Sequence, residues 1–214
     1  MVKDTIDTFK LAASYTIGSH ILPGKPISDI SQKLHSKIKL KITTCDKIIE
    51  GLKKSEYDLG LIETPIFDNS LIYKEWMKDE LVICSKMPIP NSIDENELGK
   101  YRLIARKKDS LTRIVISNFL ENIGLSYKNF KSISEINNPT AMIQSIKWSK
   151  PNRENPTVAI VSQIAIEDEL KRKELHISRI KNHPIIRKFY LIYNQNSHNY
   201  IDIEEIIKSL QNWR

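Results

Sequence analysis

The chain has 214 residues, 40% of them hydrophobic, and a formal net charge of +7. This length and apolar content indicate a globular protein with one large or two small domains, and exclude a low-complexity or disordered chain. No apolar run approaches the roughly 20 residues that cross a bilayer. Two isolated cysteines, Cys45 and Cys84, form no CxxC pair, so neither a disulfide framework nor a metal cluster is predicted.

The first part of the chain alternates strand and helix patterns. Strands are predicted over 8–13, 38–42 and 58–63, and helices over 17–34 and 43–54. Short links between these elements predict parallel strands joined by right-handed crossovers. Ligands bind such sheets at the carboxyl ends of the strands, so Ser14, Thr44 and Glu63 are expected along one rim.

Ser14 and Thr16 stand where the first strand turns into a helix, within the sequence FKLAASYTIGSHILP. A helix start leaves backbone N–H groups without partners inside the helix, and these groups can receive an anion or a polar ligand. The alternative is that the two hydroxyls only cap the helix. The pattern alone leaves both interpretations open.

The rest of the chain again alternates strand and helix patterns, and its last part is predicted to return to the first lobe. The predicted strands cover 70–76, 79–84, 102–105, 130–133, 158–161, 175–178 and 186–193. The predicted helices cover 112–124, a segment opening at Asn138, 162–170 and a last helix that ends near Trp213. The sequence MPIP at 87–90 marks a break. These patterns predict a first lobe over 1–84 and 163–214, with a second lobe over 85–162 inserted in it.

Six pieces occur in one order along the chain: AASYTIG…ILP, DLGLIETP, EWMKDELVI, RKKDSLTR, TVAIVS and IIRKFYLIY. In that order the chain resembles the effector-binding domain of LysR-type transcription regulators, from about Thr8 to Trp213. The resemblance implies an α/β fold of two Rossmann-like lobes with two chain crossovers, the periplasmic-binding-protein type 2 architecture. It also implies a small-molecule effector, held in a cleft between the lobes.

The resemblance also implies partners. Sensing domains of the family pair as antiparallel homodimers, with tetramers possible for full-length regulators. DNA is bound by an N-terminal winged helix-turn-helix that precedes the sensing domain and is absent from this sequence. We therefore expect this chain to be the regulatory part of a longer, cytoplasmic transcription factor, with no membrane partner. The alternative is a free-standing solute-binding protein of a transport system.

The predicted effector-binding residues are hydroxyl, amide, carboxylate, guanidinium and aromatic side chains at strand ends and helix starts. They are Ser14, Thr16, Thr44, Glu63, Trp76, Arg106, Ser110, Thr112 and Asn138. Hydroxyls and helix starts hold a polar group by hydrogen bonds, and an arginine can bind a carboxylate with two parallel bonds. Three assignments stay open: Glu63 binds a ligand ammonium group or a nearby arginine, Arg106 binds ligand or lies on the surface, and Trp76 packs in the core or covers the site.

Asp109 and Leu111 stand where the family often has glycines, which restricts the close approach of the backbone to a ligand there. The sequence contains no GxSxG, Walker, HExxH or GxGxxG motif. We therefore predict a ligand-sensing module that is not an enzyme and has no cofactor or metal.

Overall fold

The computed structural model describes residues 8–34, 36–63 and 66–211. The chain divides into two compact units. Unit 1 comprises the chain up to Lys78 together with the chain from Lys188, and unit 2 comprises Asp79–Arg187. The predicted boundaries between the lobes lie at 84/85 and 162/163 instead. Unit 2 is therefore larger than the predicted second lobe, because the segment 163–187 pairs and packs with the strands of unit 2.

Unit 1 contains three parallel strands that form as the alternation predicts. Its strands are β1 (Thr8–Ala13), β2 (Lys37–Ile42) and β3 (Leu59–Ile62), and its helices are α1 (Lys25–Leu34), α2 (Cys45–Lys53) and α6 (Tyr200–Gln211). β1 pairs in parallel with β2 on one side and β3 on the other. β3 pairs antiparallel with β10 (Ile185–Asn194), which gives the order β2-β1-β3-β10. The predicted end of the last helix near Trp213 lies outside the described residues.

The predicted helix over 17–34 is divided. A short π-helix covers Ile17–Ile21, and α1 begins only at Lys25. Pro23 and Gly24 separate the two helices. Gly24 has a φ of 86°, a backbone conformation that residues other than glycine rarely adopt. A β-carbon at Gly18 would lie 2.7 Å from the Ile42 side chain, so the π-helix can lie this close to β2 because it carries glycine there.

The predicted strands 70–76 and 79–84 form one strand of 15 residues, β4 (Leu71–Ser85). Neither glycine nor proline stands at Met77-Lys78, so the extended backbone continues through the predicted break. The boundary between the units falls within this strand, between Lys78 and Asp79. The second boundary falls within β10.

The strands of unit 2 pack between two hydrophobic clusters. Its elements are the second part of β4, β5 (Ser92–Ile93), β6 (Arg102–Arg106), α3 (Leu111–Asn122), β7 (Ser132–Ile136), α4 (Pro139–Lys147), β8 (Thr157–Ser162), α5 (Glu167–Lys171) and β9 (His176–Ile180). The strand order is β4-β8-β6-β7, and β9 joins β4 to β5. Leu103, Ile116 and Leu120 lie in the cluster on the α3 side, while Ile143 and Ile146 of α4 lie in the other.

A buried ion pair lies in unit 2 at its two boundaries with unit 1. Arg187 Nε donates to Asp79 Oδ2 at 2.7 Å, and the side chains are 4% and 0% exposed. Ser162 donates its hydroxyl to the other carboxylate oxygen of Asp79 at 2.8 Å. Because a buried charge needs a partner, this network holds β4, β8 and β10 together where the chain enters and leaves unit 2.

Polar contacts from β4 and β10 hold α6 in unit 1. Glu204 of α6 accepts from Lys74 Nζ at 2.5 Å and from the Tyr193 hydroxyl at 2.8 Å. Lys74 and Tyr193 hold the pKa of the Glu204 carboxyl below its usual range. The buried residues of α6, Ile203, Ile206, Ile207 and Leu210, recur at helical spacing, so the helix buries one apolar face.

Candidate functional site

The carboxyl ends of β1, β2 and β3 lie at one edge of unit 1. Ala13 is opposite Ile42 of β2 and Leu61 of β3, so the three strands end in register. The backbone continues the pairing by one step, since Thr43 N donates to Ala13 O at 3.0 Å and Ser14 N donates to Leu61 O at 2.9 Å. The residues that follow the strands, among them Ser14, Thr44 and Glu63, are therefore neighbours on the predicted rim.

Glu63 is the centre of this rim. Glu63 is buried, with 7% of its surface exposed. Glu63 Oε1 accepts from the Ser14 hydroxyl at 3.0 Å and from the Thr16 backbone N–H at 2.8 Å. Ser14 and Thr16 are themselves 3% and 4% exposed. The turn after β1 thus binds a carboxylate that β3 supplies, and two neutral donors stabilise it.

This arrangement modifies the expected anion site at the helix start. The helix that begins there has only five residues, and the N–H of Thr16 that precedes it points to the protein's own carboxylate. The Ser14 hydroxyl bonds across the sheet to Glu63 instead of capping the helix. Sequence alone places the three residues at strand ends, whereas their hydrogen bonds depend on β3 lying beside β1.

Thr44 contributes a buried hydroxyl to the same rim. It occupies the N-cap position of α2, but its side chain makes no capping hydrogen bond. Within the described ranges, its Oγ1 is buried and has no hydrogen-bond partner. An N-cap threonine normally donates or accepts at the helix start, and a buried polar atom without a partner destabilises the fold by about 1–3 kcal/mol. Thr44 Oγ1 is thus a polar group available to a bound molecule.

Trp76 lies on β4 in unit 1 and is half-buried. Its indole Nε1 donates to the backbone carbonyl of Leu210 in the last turn of α6, at 2.9 Å. This hydrogen bond satisfies a helix-end carbonyl that has no partner inside the helix. The contact supports the packing interpretation of Trp76 over a role in covering a ligand.

In unit 2, the predicted residues lie at the turn from β6 to α3. Ser110 is the N-cap of α3, and its hydroxyl accepts from Arg113 N at 3.2 Å. Arg106, the last residue of β6, is 8% exposed, and Thr112 is half-buried in the first turn of α3. Arg106 is therefore not a surface residue. Asp109, which stands where the family often has glycine, is exposed and pairs with Lys107 at 2.9 Å.

Arg113 also belongs to this turn, although it is not among the predicted site residues. It is 6% exposed, its Nη1 donates to the backbone carbonyl of Arg106 at 2.9 Å, and its guanidinium stacks 3.5 Å from the centre of the Tyr127 ring. A cation in the first turn of a helix opposes the helix dipole. This unfavourable position of an arginine within RKKDSLTR is the sequence feature that could have indicated a structural role for Arg113. Arg113 fixes the loop that carries Ser110.

Asn138 caps α4, as its position before Pro139 predicts. Its side chain accepts from Ala141 N at 3.0 Å, and the residue is half-buried. Thus Ser14, Thr44 and Glu63 meet on one rim of unit 1. Ser110, Thr112 and Arg106 lie at one turn of unit 2. Trp76 and Asn138 instead form hydrogen bonds with backbone groups at the ends of helices.

Other chemistry finds little support in the part of the chain that the structure describes. No group of three or more His, Cys, Asp or Glu side chains there could hold a metal ion. No helix among the described residues combines the length and apolar character that a membrane crossing requires. Burial raises the pKa of the Cys84 thiol to about 12, so this cysteine is not a reactive thiolate at neutral pH.

Comparison with known proteins extends over nearly the whole chain. The family model of the LysR substrate binding domain matches residues 4–213. The HTH-type transcriptional regulator CysL of Bacillus subtilis is 27% identical over 208 residues, which cover 94% of this chain and 66% of CysL. The chain spans 60% to 66% of the length of the first two curated relatives that it matches.

Solved structures share the fold. The Synechocystis CcmR regulatory domain in complex with 2-PG has a TM-score of 0.78 at 22% identity, with 95% of each chain covered. The effector binding domain of QuiR in complex with shikimate has a TM-score of 0.76 at 18% identity, with 97% of this chain and 98% of the other covered. The predicted α/β fold of the periplasmic-binding-protein type 2 architecture is thereby confirmed.

Proposed function

This chain belongs to the LysR substrate binding domain family, and we propose that it senses a small polar or anionic effector for a transcription regulator. The single observation that carries the proposal is the family match over residues 4–213. The family is a ligand-binding module of regulators and not an enzyme family. The transport alternative is not supported, because the family match and CysL both indicate transcription regulation.

Geometry within unit 1 supports a ligand contact at the carboxyl ends of β1–β3. Three features meet there: a buried carboxylate, a hydroxyl that donates to it, and the buried Thr44 hydroxyl without a partner in the described chain. Small-molecule sites combine a few convergent polar groups with apolar surroundings. The Ser110 turn of unit 2 offers a second polar set, and that one ligand contacts both units remains a prediction.

The regulator's other partners are proposals too. We propose that a regulator containing this domain acts in the cytoplasm and binds DNA through a separate helix-turn-helix domain. We also propose that the sensing domain forms a homodimer, with the exposed faces of 17–34 and 38–42 at the interface. β2 ends the strand order of unit 1, which leaves one of its edges available for a partner. Sedimentation of the purified chain at high micromolar concentration tests this, and a species that stays monomeric would contradict it.

The direct test of effector sensing is a thermal-shift screen of amino acids, organic acids and other small metabolites against the purified chain. An effector present at about 100 times its Kd should stabilise the fold by roughly 2.7 kcal/mol. Thr112→Ala and Thr44→Val then test contributions from the two turns. If a stabilising compound binds both variants and Ser14→Ala as tightly as the parent, the ligand contacts lie elsewhere.

A further inference from the structure

We infer that four lysines on one face of the unit 1 sheet form a surface that binds the phosphate backbone of duplex DNA without reading its sequence. We term these residues the lysine row; they are Lys10, Lys37, Lys39 and Lys41. The inference goes beyond effector sensing. It rests on the proposed function only in that a regulator containing this domain works at DNA.

The register of the strands places the four lysines together. In β2, lysines alternate with apolar residues, so Lys37, Lys39 and Lys41 lie on one face of the strand. Lys10 of β1 is directly opposite Lys39, which puts its side chain on the same face. Residues two apart on a strand are about 6.6 Å apart and neighbouring strands about 4.8 Å, so the backbone positions of the lysine row span about 13 Å by 5 Å.

The lysine row is exposed and strongly positive. All four residues are exposed, and among the residues that the structure describes none of their ammonium groups forms an ion pair. Asp58 lies beside Lys10, but its two oxygens accept from the backbone N–H of Lys10 at 2.7 Å and from the side-chain amide of Asn199 at 2.8 Å. One negative charge thus stands beside four positive charges. Like charges at this spacing repel one another, and a bound polyanion would remove that repulsion.

Protection of a sheet edge accounts for only part of the lysine row. An edge strand often carries lysines because they prevent pairing with another chain. β2 ends the strand order of unit 1, so this reason applies to its three lysines. It does not apply to Lys10, because β1 pairs with β2 on one side and with β3 on the other. The positive surface therefore extends from the edge onto an interior strand.

The length of the lysine row suits a DNA strand. Duplex DNA carries a phosphate about every 3.4 Å of helix axis on each strand, so about 13 Å of row faces about four phosphates. A lysine ammonium is a compact charge on a flexible stem, and it can follow phosphates without a fixed geometry. Contacts to phosphates position a protein on the duplex but carry no sequence information. We therefore expect binding that depends on salt and not on sequence.

Fluorescence anisotropy of a labelled duplex of arbitrary sequence tests this surface, at about 20–200 mM sodium chloride. The parent chain should bind the duplex weakly, with an affinity that falls steeply as the salt concentration rises. The triple variant Lys37→Gln, Lys39→Gln and Lys41→Gln should bind more than about tenfold more weakly at the lowest salt. The slope of log affinity against log salt should become shallower by about 0.9 for each lost phosphate contact, or about 2.7 for three.

A matched variant separates the lysine row from net charge. Lys108→Gln, Lys150→Gln and Lys173→Gln together remove the same three charges from exposed positions that form no ion pair with a described residue. This control should lose no more than about threefold in affinity and keep the slope of the parent. Both triple variants should melt within a few degrees of the parent, because exposed substitutions change stability little.

Loss of affinity and of slope in the lysine-row variant, with the control unchanged, supports the inference. The inference is wrong if the parent does not bind the duplex at the lowest salt, if the two triple variants lose affinity equally, or if the lysine-row variant keeps the slope of the parent. It is also wrong if that variant loses binding to polyglutamate but not to DNA, since the partner is then an acidic protein segment.

A second copy of the chain is the other candidate occupant, because the exposed face of 38–42 also belongs to the proposed homodimer interface. Sedimentation of the lysine-row variant beside the parent decides between them. A changed oligomeric state with unchanged DNA affinity assigns the lysine row to the homodimer and overturns the inference. The thermal-shift screen contains no nucleic acid, so an inert screen with a clear DNA result would count against the proposed effector sensing alone.

Discussion

Glu63 in unit 1 and Asp79 in unit 2 are both buried carboxylates, 7% and 2% exposed, with different partners. Asp79 is bonded to the guanidinium of Arg187 at 2.7 Å, inside its own unit. Glu63 accepts from a hydroxyl and a backbone N–H at a strand-to-helix turn. The described bonds of Asp79 lie within unit 2, whereas those of Glu63 join the turns that follow β1 and β3 of unit 1. Similar burial therefore does not imply a similar role.

The largest expected effect is at Asp79. Arg187→Ala should lower the free energy of unfolding by about 3–5 kcal/mol, because it removes the cation that is bonded to the buried Asp79 carboxylate. Urea denaturation measures the change. The matched control is the exposed pair of Glu75 and Lys188, which joins the same two strands at 2.7 Å with side chains 45% and 48% exposed. Lys188→Ala should cost no more than about 1 kcal/mol. Equal costs for both variants would contradict the structural role of the buried pair.

Glu63→Ala should have a smaller effect on stability. It removes an acceptor from two buried donors, and leaving such groups unsatisfied costs about 1–3 kcal/mol. If Glu63→Ala destabilises the chain as much as Arg187→Ala, then Glu63 is a structural residue like Asp79, and the contrast between the two carboxylates is lost.

At Glu204 we expect a smaller effect on stability, and one that depends on pH. Lys74, and then Tyr193, hold its pKa below the usual value of a glutamate. A lowered folded-state pKa contributes stability above about pH 4.3, the unfolded value, and that contribution disappears as the pH falls through the folded pKa. Lys74→Met should therefore lower stability by about 0.5–1 kcal/mol at pH 7. The difference from the parent should shrink toward pH 3. Urea denaturation at both pH values measures it, and a difference independent of pH would contradict this account of the pair.

The smallest expected change in stability is at Thr44. Thr44→Val keeps the shape and removes a buried hydroxyl that has no hydrogen-bond partner among the described residues. Removing such a group is neutral or stabilises by up to about 1 kcal/mol. The effector, once found, should nevertheless bind less tightly. Destabilisation by more than about 1 kcal/mol would show that the hydroxyl has a structural role.

Several parts of the fold were predictable because local pattern determines them. The alternation of Lys and apolar residues in β2 predicts its half-buried strand, and Asn138-Pro139 predicts the start of α4. Two elements were predicted wrongly. The predicted helix over 17–34 is interrupted at Pro23 and Gly24, and the two strands predicted on either side of Met77-Lys78 form the single strand β4.

The chemistry of the site was less predictable than its location. Strand ends follow from sequence, so Ser14, Thr44 and Glu63 could be placed on one rim. The bonds from Ser14 and Thr16 to Glu63 join residues 47 to 49 positions apart and require β3 beside β1. Likewise, Arg113 gains its role from stacking on Tyr127 and bonding to Arg106, contacts that no local pattern encodes.

The most direct test of effector sensing at this rim is hydrogen exchange of the purified chain with and without a compound that stabilises it in the thermal-shift screen. If the effector binds at this rim, amides in the turns after β1, β2 and β3, around Thr16, Thr44 and Glu63, should exchange more slowly when the compound is bound. Protection confined to other surfaces, with these turns unchanged, would contradict the account.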